Sequence, residues 1–478
     1  MAEGGIGYTD SETGSVPGLS SLYSRHSRNY VECVSTEIST IMTRLGYGEE
    51  MRRWRVAKYR ELDRMYNKIL CDVCTLFTAG SKAEGLTRFL ESDIDIMTVA
   101  NSALCVEAGI NLHTIQDDIA LFRMDTRVYP GHCKLFLERQ GSRRCIEFEK
   151  AFCDNGYGDV LLSSSLYLDE ISTIWSLFPQ FREGMVDAER AGPSLPHTSG
   201  GVVHMDKVRA LRCSCPSILD RWASRPRHWP SPVIVQKVVS LGAYVTPVGF
   251  KGSEFKHMEW RICFNTGETE LVNNLNDTQA KVYVILKMIL KDKLKPNNKE
   301  ITSYVLKNIV LWQAERNPQL QFHARSLCHW LHDGLRELST AIVKKHLPYY
   351  MIPERNLLEA CGMNDVLQRK WVAGITDMLE DFPRVVLRLP KIRKAIVGSP
   401  EPMLWFSSGR MELEMLNLEW FIRKQECLFK TRDINYSDFT VQAIERRIAQ
   451  IITEMQLHML LDGSSIIQRS DIFKRMLM

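Results

Sequence analysis

The sequence predicts an α/β protein of two lobes, a mixed sheet backed by a long spine helix and then a helical lobe. Three observations predict it. A helical pattern runs from Val31 toward Cys74, and short alternating apolar runs punctuated by Gly and Pro dominate from there to about residue 275. Long segments with apolar residues at helical spacing then take over from about Asn276. With 478 residues, 45% of them hydrophobic, the chain has ample length for a large core.

Taken in order, residues 1–30 are rich in Gly, Ser and Thr with little hydrophobic period, and read as a disordered leader. Residues 31–275 read as the sheet-bearing core with its spine helix, which is interrupted near Gly46-Tyr47-Gly48. Its second half, MRRWRVAKYRELDRMYNKIL, sets Leu62, Met65, Tyr66 and Ile69 on one face and Arg53, Arg60, Arg64 and Lys68 on another. TLFTAG and SDIDIMTVA read as strands, TRVYPGHCKLFLE and SRRCIEFEKAF as a paired ribbon, and Gly192 to Gly201 as a loop. VVHMDKVRALRC, GAYVTPVG and EWRICF complete the sheet. Residues 276–380 read as the helical lobe, from TQAKVYVILKMILKDKL to the proline-punctuated LPYYMIPERNLLE, and 381–478 as a mainly helical C-terminal extension.

Bulk composition excludes some classes. Charged residues make up 25% and the net charge is only +4, so charge alone does not announce a nucleic-acid binder. The 13 cysteines are odd in number and irregularly spaced, and the polar, acidic N-terminus lacks a secretory pattern. No apolar run approaches the roughly 18 residues of a membrane helix. Reduced thiols and a cytoplasmic or nuclear protein, with no membrane partner, are therefore expected. Cys71-x-x-Cys74 has no second ligand pair nearby and Cys213-x-Cys215 is too tight for a knuckle, so no zinc is expected.

The chemistry concentrates in Gly80-Ser81 followed by Asp93-Ile94-Asp95-Ile96. A Gly-Ser turn lets backbone N–H groups face an anion. Asp93 and Asp95, two apart on a strand, share a face, and acids held that close repel unless a cation sits between them. Ile94 and Ile96 then point into a core. Two divalent cations, Mg2+ or Mn2+, need a third acid from a neighbouring strand. Asp206, in the alternating run VVHMDKVRAL, is the candidate; Asp187, in a segment of helical character, is the weaker choice.

GSKAEGL, SDIDIM, EWRICF, LKMILK, ITSYVLK and LPYYMIPERNLLE, in that order over roughly residues 50–375, resemble the cyclic GMP-AMP synthase and Mab-twenty-one family, in particular its invertebrate synthase-like receptors. The resemblance implies a two-lobed nucleotidyltransferase fold. It also implies an innate immune sensor that binds double-stranded RNA, or less often DNA, and makes a cyclic dinucleotide from ATP, GTP or other nucleoside triphosphates. Carried onto this chain, Gly80 and Ser81 match the phosphate-binding turn, and Asp93, Asp95 and Asp206 the catalytic metal ligands. Arg261 and Glu268 match nucleobase contacts, Lys287 the lysine that reaches the triphosphate, and Ser303 the serine beside it. Where the vertebrate DNA sensor inserts a zinc module, ELVNNLNDTQAKVYVILK runs on with no Cys or His, which favours RNA or another ligand.

A duplex is read by phosphate charge and shape, so Arg53, Arg60, Arg64 and Lys68 on the spine helix are the expected nucleic-acid face. Lys344, Lys345 and the cluster Arg388, Lys391, Arg393 and Lys394 add further positive charge. A dimer formed on the ligand is a further expectation. Two rivals stand beside this reading: a catalytically silent family member that binds nucleic acid or protein, and a template-independent polymerase acting on RNA ends.

Overall fold

The structure is a computed structural model. It describes residues 20–70, 74–142, 148–154, 158–176, 185–187, 192–199, 203–295, 300–397, 400–431, 438–461, 463 and 468–477. Most of the expected leader, residues 1–19, and Cys71 of the CxxC pair lie outside these. The leader does not extend to residue 30: helices begin at Ser20 and Arg28, and Leu22 and Val31 are buried in the main core.

Helix Arg28–Met42 meets the spine helix Glu49–Ile69 across a kink at Gly46, whose φ of 84° is open to glycine at little cost. Glu49 and Glu50 in the first turn suit the positive end of the spine's dipole. The helix ends at Ile69, and Cys74 instead opens the first strand.

Eleven strands form one mixed sheet among the described residues. They are β1 (Cys74–Ala79), β2 (Ile94–Val106), β3 (Ala120–Asp125), β4 (His132–Arg139), β5 (Phe152–Asp154) and β6 (Val160–Leu162). β7 (Met185–Asp187), β8 (Ser194–Ser199), β9 (Val203–Ser214), β10 (Ala243–Thr246) and β11 (Glu259–Cys263) follow. β2 is central to the site: it pairs antiparallel with β1 and parallel with both β3 and β9.

Two local expectations are corrected. The span read as a loop from Gly192 holds β8, because the run Ser194–Ser199 zips antiparallel onto β9 and gives its backbone groups partners. Asp187 ends a strand, not a helix, since Met185–Asp187 pairs with β8. In the expected ribbon TRVYP is mostly a connection and β4 pairs with β3, β6 and β11, while residues 143–147 of the second arm lie outside the described residues.

The helical lobe starts with Asp277–Ile289, entered through a capping box in which Asn276 and Gln279 satisfy each other's backbone N–H groups. Helices Ser303–Arg316 and Leu327–Lys344 complete its centre. Trp260, Phe122 and Leu135 from the sheet and Tyr283, Ile285, Leu306 and Leu331 from the lobe belong to one apolar core. Burying such large side chains is the main force that joins sheet to lobe. The C-terminal helix Pro400–Thr431 packs on the spine helix, and helix Phe439–Leu461 packs on Pro400–Thr431. Among the described residues no helix is long and apolar enough to cross a membrane, and the described cysteines are free thiols.

Candidate active site

β1 delivers the chain to Gly80, where the helical turn Gly80–Ala83 begins. Gly80 has φ +62°, and a Cβ there would lie 2.2 Å from Asp95 Oδ2. Only glycine lets the turn settle this closely on the carboxylate. Asp95 stands in β2 with Ala79 beside it on β1 and Asp206 beside it on β9. Adjacent parallel strands in register thus set the two acids side by side. Asp93 directly precedes β2 and is exposed, whereas Ile94 is buried. Ile96 departs from expectation: it is half-buried and lines the cleft instead of entering the core.

Asp95 carries the electrostatic signature of the site. Burial, then the negative charges of Asp206 and Asp93, push its carboxyl up to about 6, while Lys307 acts in the opposite direction. Three carboxylates are hard oxygen donors of the kind Mg2+ and Mn2+ prefer, and a divalent cation relieves this repulsion. The donor chemistry therefore fits. Among the described residues, however, no three His, Cys, Asp or Glu side chains already stand together as a ligand set, so the trio would have to draw in around an ion.

Above the acids lies an open cleft of about 230 Å³ between the sheet and the lobe. Of the residues singled out from sequence, Gly80, Asp95 and Glu268 line it. Ser81 and Lys287 are brought together from turn and lobe: Lys287 Nζ donates to Ser81 Oγ at 2.8 Å. Burial holds the Lys287 ammonium below its usual range. Ser303 opens its helix, and its carbonyl accepts from the Tyr283 hydroxyl at 3.3 Å. Arg261 lies on β11 with Thr246 and His132 as strand neighbours and does not line this cleft.

Glu268 differs from a waiting nucleobase acceptor. Its Oε1 accepts from the hydroxyls of Tyr304 and Tyr349, each at 2.6 Å, and its Oε2 faces Lys307 Nζ at 3.5 Å. Lys307 also donates to Glu84, which is 1% exposed. Burial opposes the Lys307 charge, but Glu84 and Glu268 hold it protonated well above the ordinary range. Glu84, Tyr304 and Lys307 were not legible as cleft residues in advance. The available signals were short: Glu84 shares GSKAEG with Ser81, and Lys307 lies one helical turn beyond Ser303.

On the spine helix, Arg53, Arg60, Arg64 and Lys68 form one exposed stripe, as their spacing requires. Arg53 pairs with Glu49, and Arg60 Nη2 sits 3.5 Å from Glu270. Of the other basic residues, Lys345 pairs with Asp365, Arg388 with Asp381 and Lys391 with Glu91.

Comparison with known proteins adds independent information. Residues 184–274 match the Mab-21 protein nucleotidyltransferase domain, and residues 278–370 the Mab-21 protein HhH/H2TH-like domain. The chain is similar to a cyclic GMP-AMP synthase-like receptor from Aethina tumida, 25% identical over 185 residues that cover 37% of this chain and 45% of that relative. It thus matches less than half the length of that relative. Asp206, Arg261, Glu268, Lys287 and Ser303 fall within the two matched domains, and the Gly80–Asp95 motif lies N-terminal to them. These two stretches of the chain are thus similar to the paired Mab-21 domains, and a mixed sheet and a helical lobe meet at this cleft.

Proposed function

We propose that the protein is a metal-dependent nucleotidyltransferase that joins two nucleoside triphosphates, ATP and GTP or others, into a cyclic dinucleotide. Asp93, Asp95 and Asp206 would hold Mg2+ or Mn2+, which when bound neutralises charge on a triphosphate and polarises the attacking hydroxyl. The chain's own groups prepare the rest. The N–H groups of the Gly80–Ser81 turn and the Lys287 ammonium supply fixed positive potential for phosphate oxygens. An anion arriving at Ser81 would draw Lys287 from the hydroxyl it now contacts. Arg261 and Ser303 are proposed as further nucleotide contacts, reached when the lobes close on substrate.

The observation that carries this reading is the placement of Asp95 between Gly80 and Asp206, with the carboxyl raised by burial and then by its acidic neighbours. Residues 31–275 serve as the core, 276–380 as the lobe and 381–478 as an extension in this proposal. Double-stranded RNA laid along Arg53, Arg60, Arg64 and Lys68 is the proposed activator, in keeping with cytoplasmic innate sensing. The spine helix leads through β1 into Gly80, so ordering the helix would order the turn. Incubating the full chain with labelled nucleoside triphosphates, Mg2+ or Mn2+, and duplex RNA or duplex DNA tests the proposal. A small cyclic product that requires a duplex supports it; elongating products, or none under any condition, refute it. The silent reading draws on one observation, the lack of a preassembled ligand set among the described residues.

A further inference from the structure

The Gly80–Ser81 turn and Asp93 are joined by residues 84–92, and that connection is fastened from the far end of the chain. Helix Pro400–Thr431, beyond the last matched domain residue, presents Glu414, 2% exposed in its side chain. Its Oε1 accepts from Arg55 Nε at 2.8 Å and from the Phe89 backbone N–H at 3.1 Å, while Oε2 accepts from Arg55 Nη2 at 2.8 Å. Arg55, on the spine helix, turns its Nη1 to the Gly85 carbonyl at 3.1 Å. Gly85 sits so close to the spine that a Cβ would lie 2.4 Å from the Arg52 carbonyl oxygen.

Other ties converge on the same few residues. Lys82 Nζ donates to the Phe89 carbonyl at 2.7 Å and also to the Arg88 carbonyl. Glu91 accepts from the Tyr47 hydroxyl at 2.6 Å and the Arg88 N–H at 3.0 Å, and is paired with Lys391 of helix Pro390–Val397. Phe89 packs against the apolar cluster that holds Leu418 and Ile422, and Leu90 against the one that holds Leu413 and Ile451.

A fully buried ion pair is a poor way merely to glue two helices, since apolar side chains of similar volume commonly do as well or better. An apolar residue at position 414 could not accept the Phe89 N–H while also orienting Arg55 toward Gly85. The carboxylate fixes the path of a segment with little regular structure, and two residues beyond Glu91 that segment delivers Asp93. We propose that Glu414 is a positioning residue: through Arg55 and the Phe89 amide, the C-terminal helix sets the separation between the phosphate-binding turn and the metal-binding acids. This rests on the reading of residues 80–95 as the nucleotide site.

The test uses the full chain carrying Glu414→Gln or Lys391→Met, the second acting on the same connection from its more exposed side. Hydrogen exchange without nucleotide should show the amides of residues 85–93 opening on the order of tenfold faster, with β1, β2, β9 and helix Pro400–Thr431 as protected as before. Turnover should fall on the order of tenfold or more with KM for nucleotide held, as geometry is lost and not affinity. If Glu414→Gln fails to fold, Lys391→Met carries the test. Unchanged exchange at 85–93, or a rise spread evenly over the sheet and helices, overturns the proposal. So does a raised KM with kcat intact. A wild-type protein without turnover overturns the transferase reading, and the exchange comparison still decides the clamp.

Discussion

Replacing Gly80 with alanine probes the contact on which the site is built. A non-glycine residue at φ +62° costs about 1–2 kcal/mol by steric conflict of its Cβ with the following carbonyl. The larger effect falls on Asp95. The new Cβ would stand 2.2 Å from Oδ2 and 3.1 Å from Cγ, against ordinary contact beyond 3.4 Å, so the carboxylate must retreat by roughly 1 Å. A displacement of that size in a positioned group costs about a hundredfold in rate, equivalent to ~2.7 kcal/mol. Gly80→Ala is therefore expected to lose about two orders of magnitude in kcat for dinucleotide formation while melting only a few degrees lower. Stopped product assays beside thermal unfolding measure both. A variant with wild-type turnover and wild-type stability would refute the geometry argued for Asp95.

Other expectations follow from the same geometry. Asp63 accepts from the Thr78 N–H at 2.9 Å and from its hydroxyl at 2.7 Å, yet burial pushes its carboxyl up to about 6 from 3.8. A carboxyl raised on folding favours the folded state fully below its unfolded value, and that contribution is lost as pH rises through about 6. Unfolding free energies of wild type and Asp63→Asn, measured from pH 4 to 7, should differ in slope by at most about 3 kcal/mol in total; parallel curves would remove Asp63 as a cause. Arg60→Glu with Arg64→Glu should abolish duplex-stimulated turnover while leaving basal turnover near wild type, and undiminished stimulation would exclude this face. Lys287→Met removes the cation beside Ser81 and should raise KM for the triphosphate on the order of tenfold, read from initial rates. An unchanged KM would place the triphosphate elsewhere.

Much of this organisation was legible in the sequence because it is local. Val31, Val34, Ile38 and Met42, then Val56, Tyr59 and Leu62, repeat at helical spacing and are buried. Asp206 could be nominated because its strand alternates and follows β2 in the topology, and it proves to be Asp95's neighbour across the ladder. What the sequence hid depends on long-range partners. Nothing in SLPHTS announces a strand; pairing with β9 makes it one. Glu268 gave no sign that two tyrosines and a lysine would already occupy it, since Tyr349 comes from a segment far along the chain. Glu414 reads locally as one more charge on a long helix, and its burial against Arg55 exists only in three dimensions.

The most direct test measures Mn2+ binding by paramagnetic resonance in the presence of a non-hydrolysable nucleoside triphosphate, comparing wild type with Asp95→Asn and Asp206→Asn. The account predicts bound Mn2+ in the wild type, weakened by at least an order of magnitude in each variant while all three remain folded. Equal Mn2+ affinity in the three proteins would contradict it, for the carboxylates of β2 and β9 would then hold no ion.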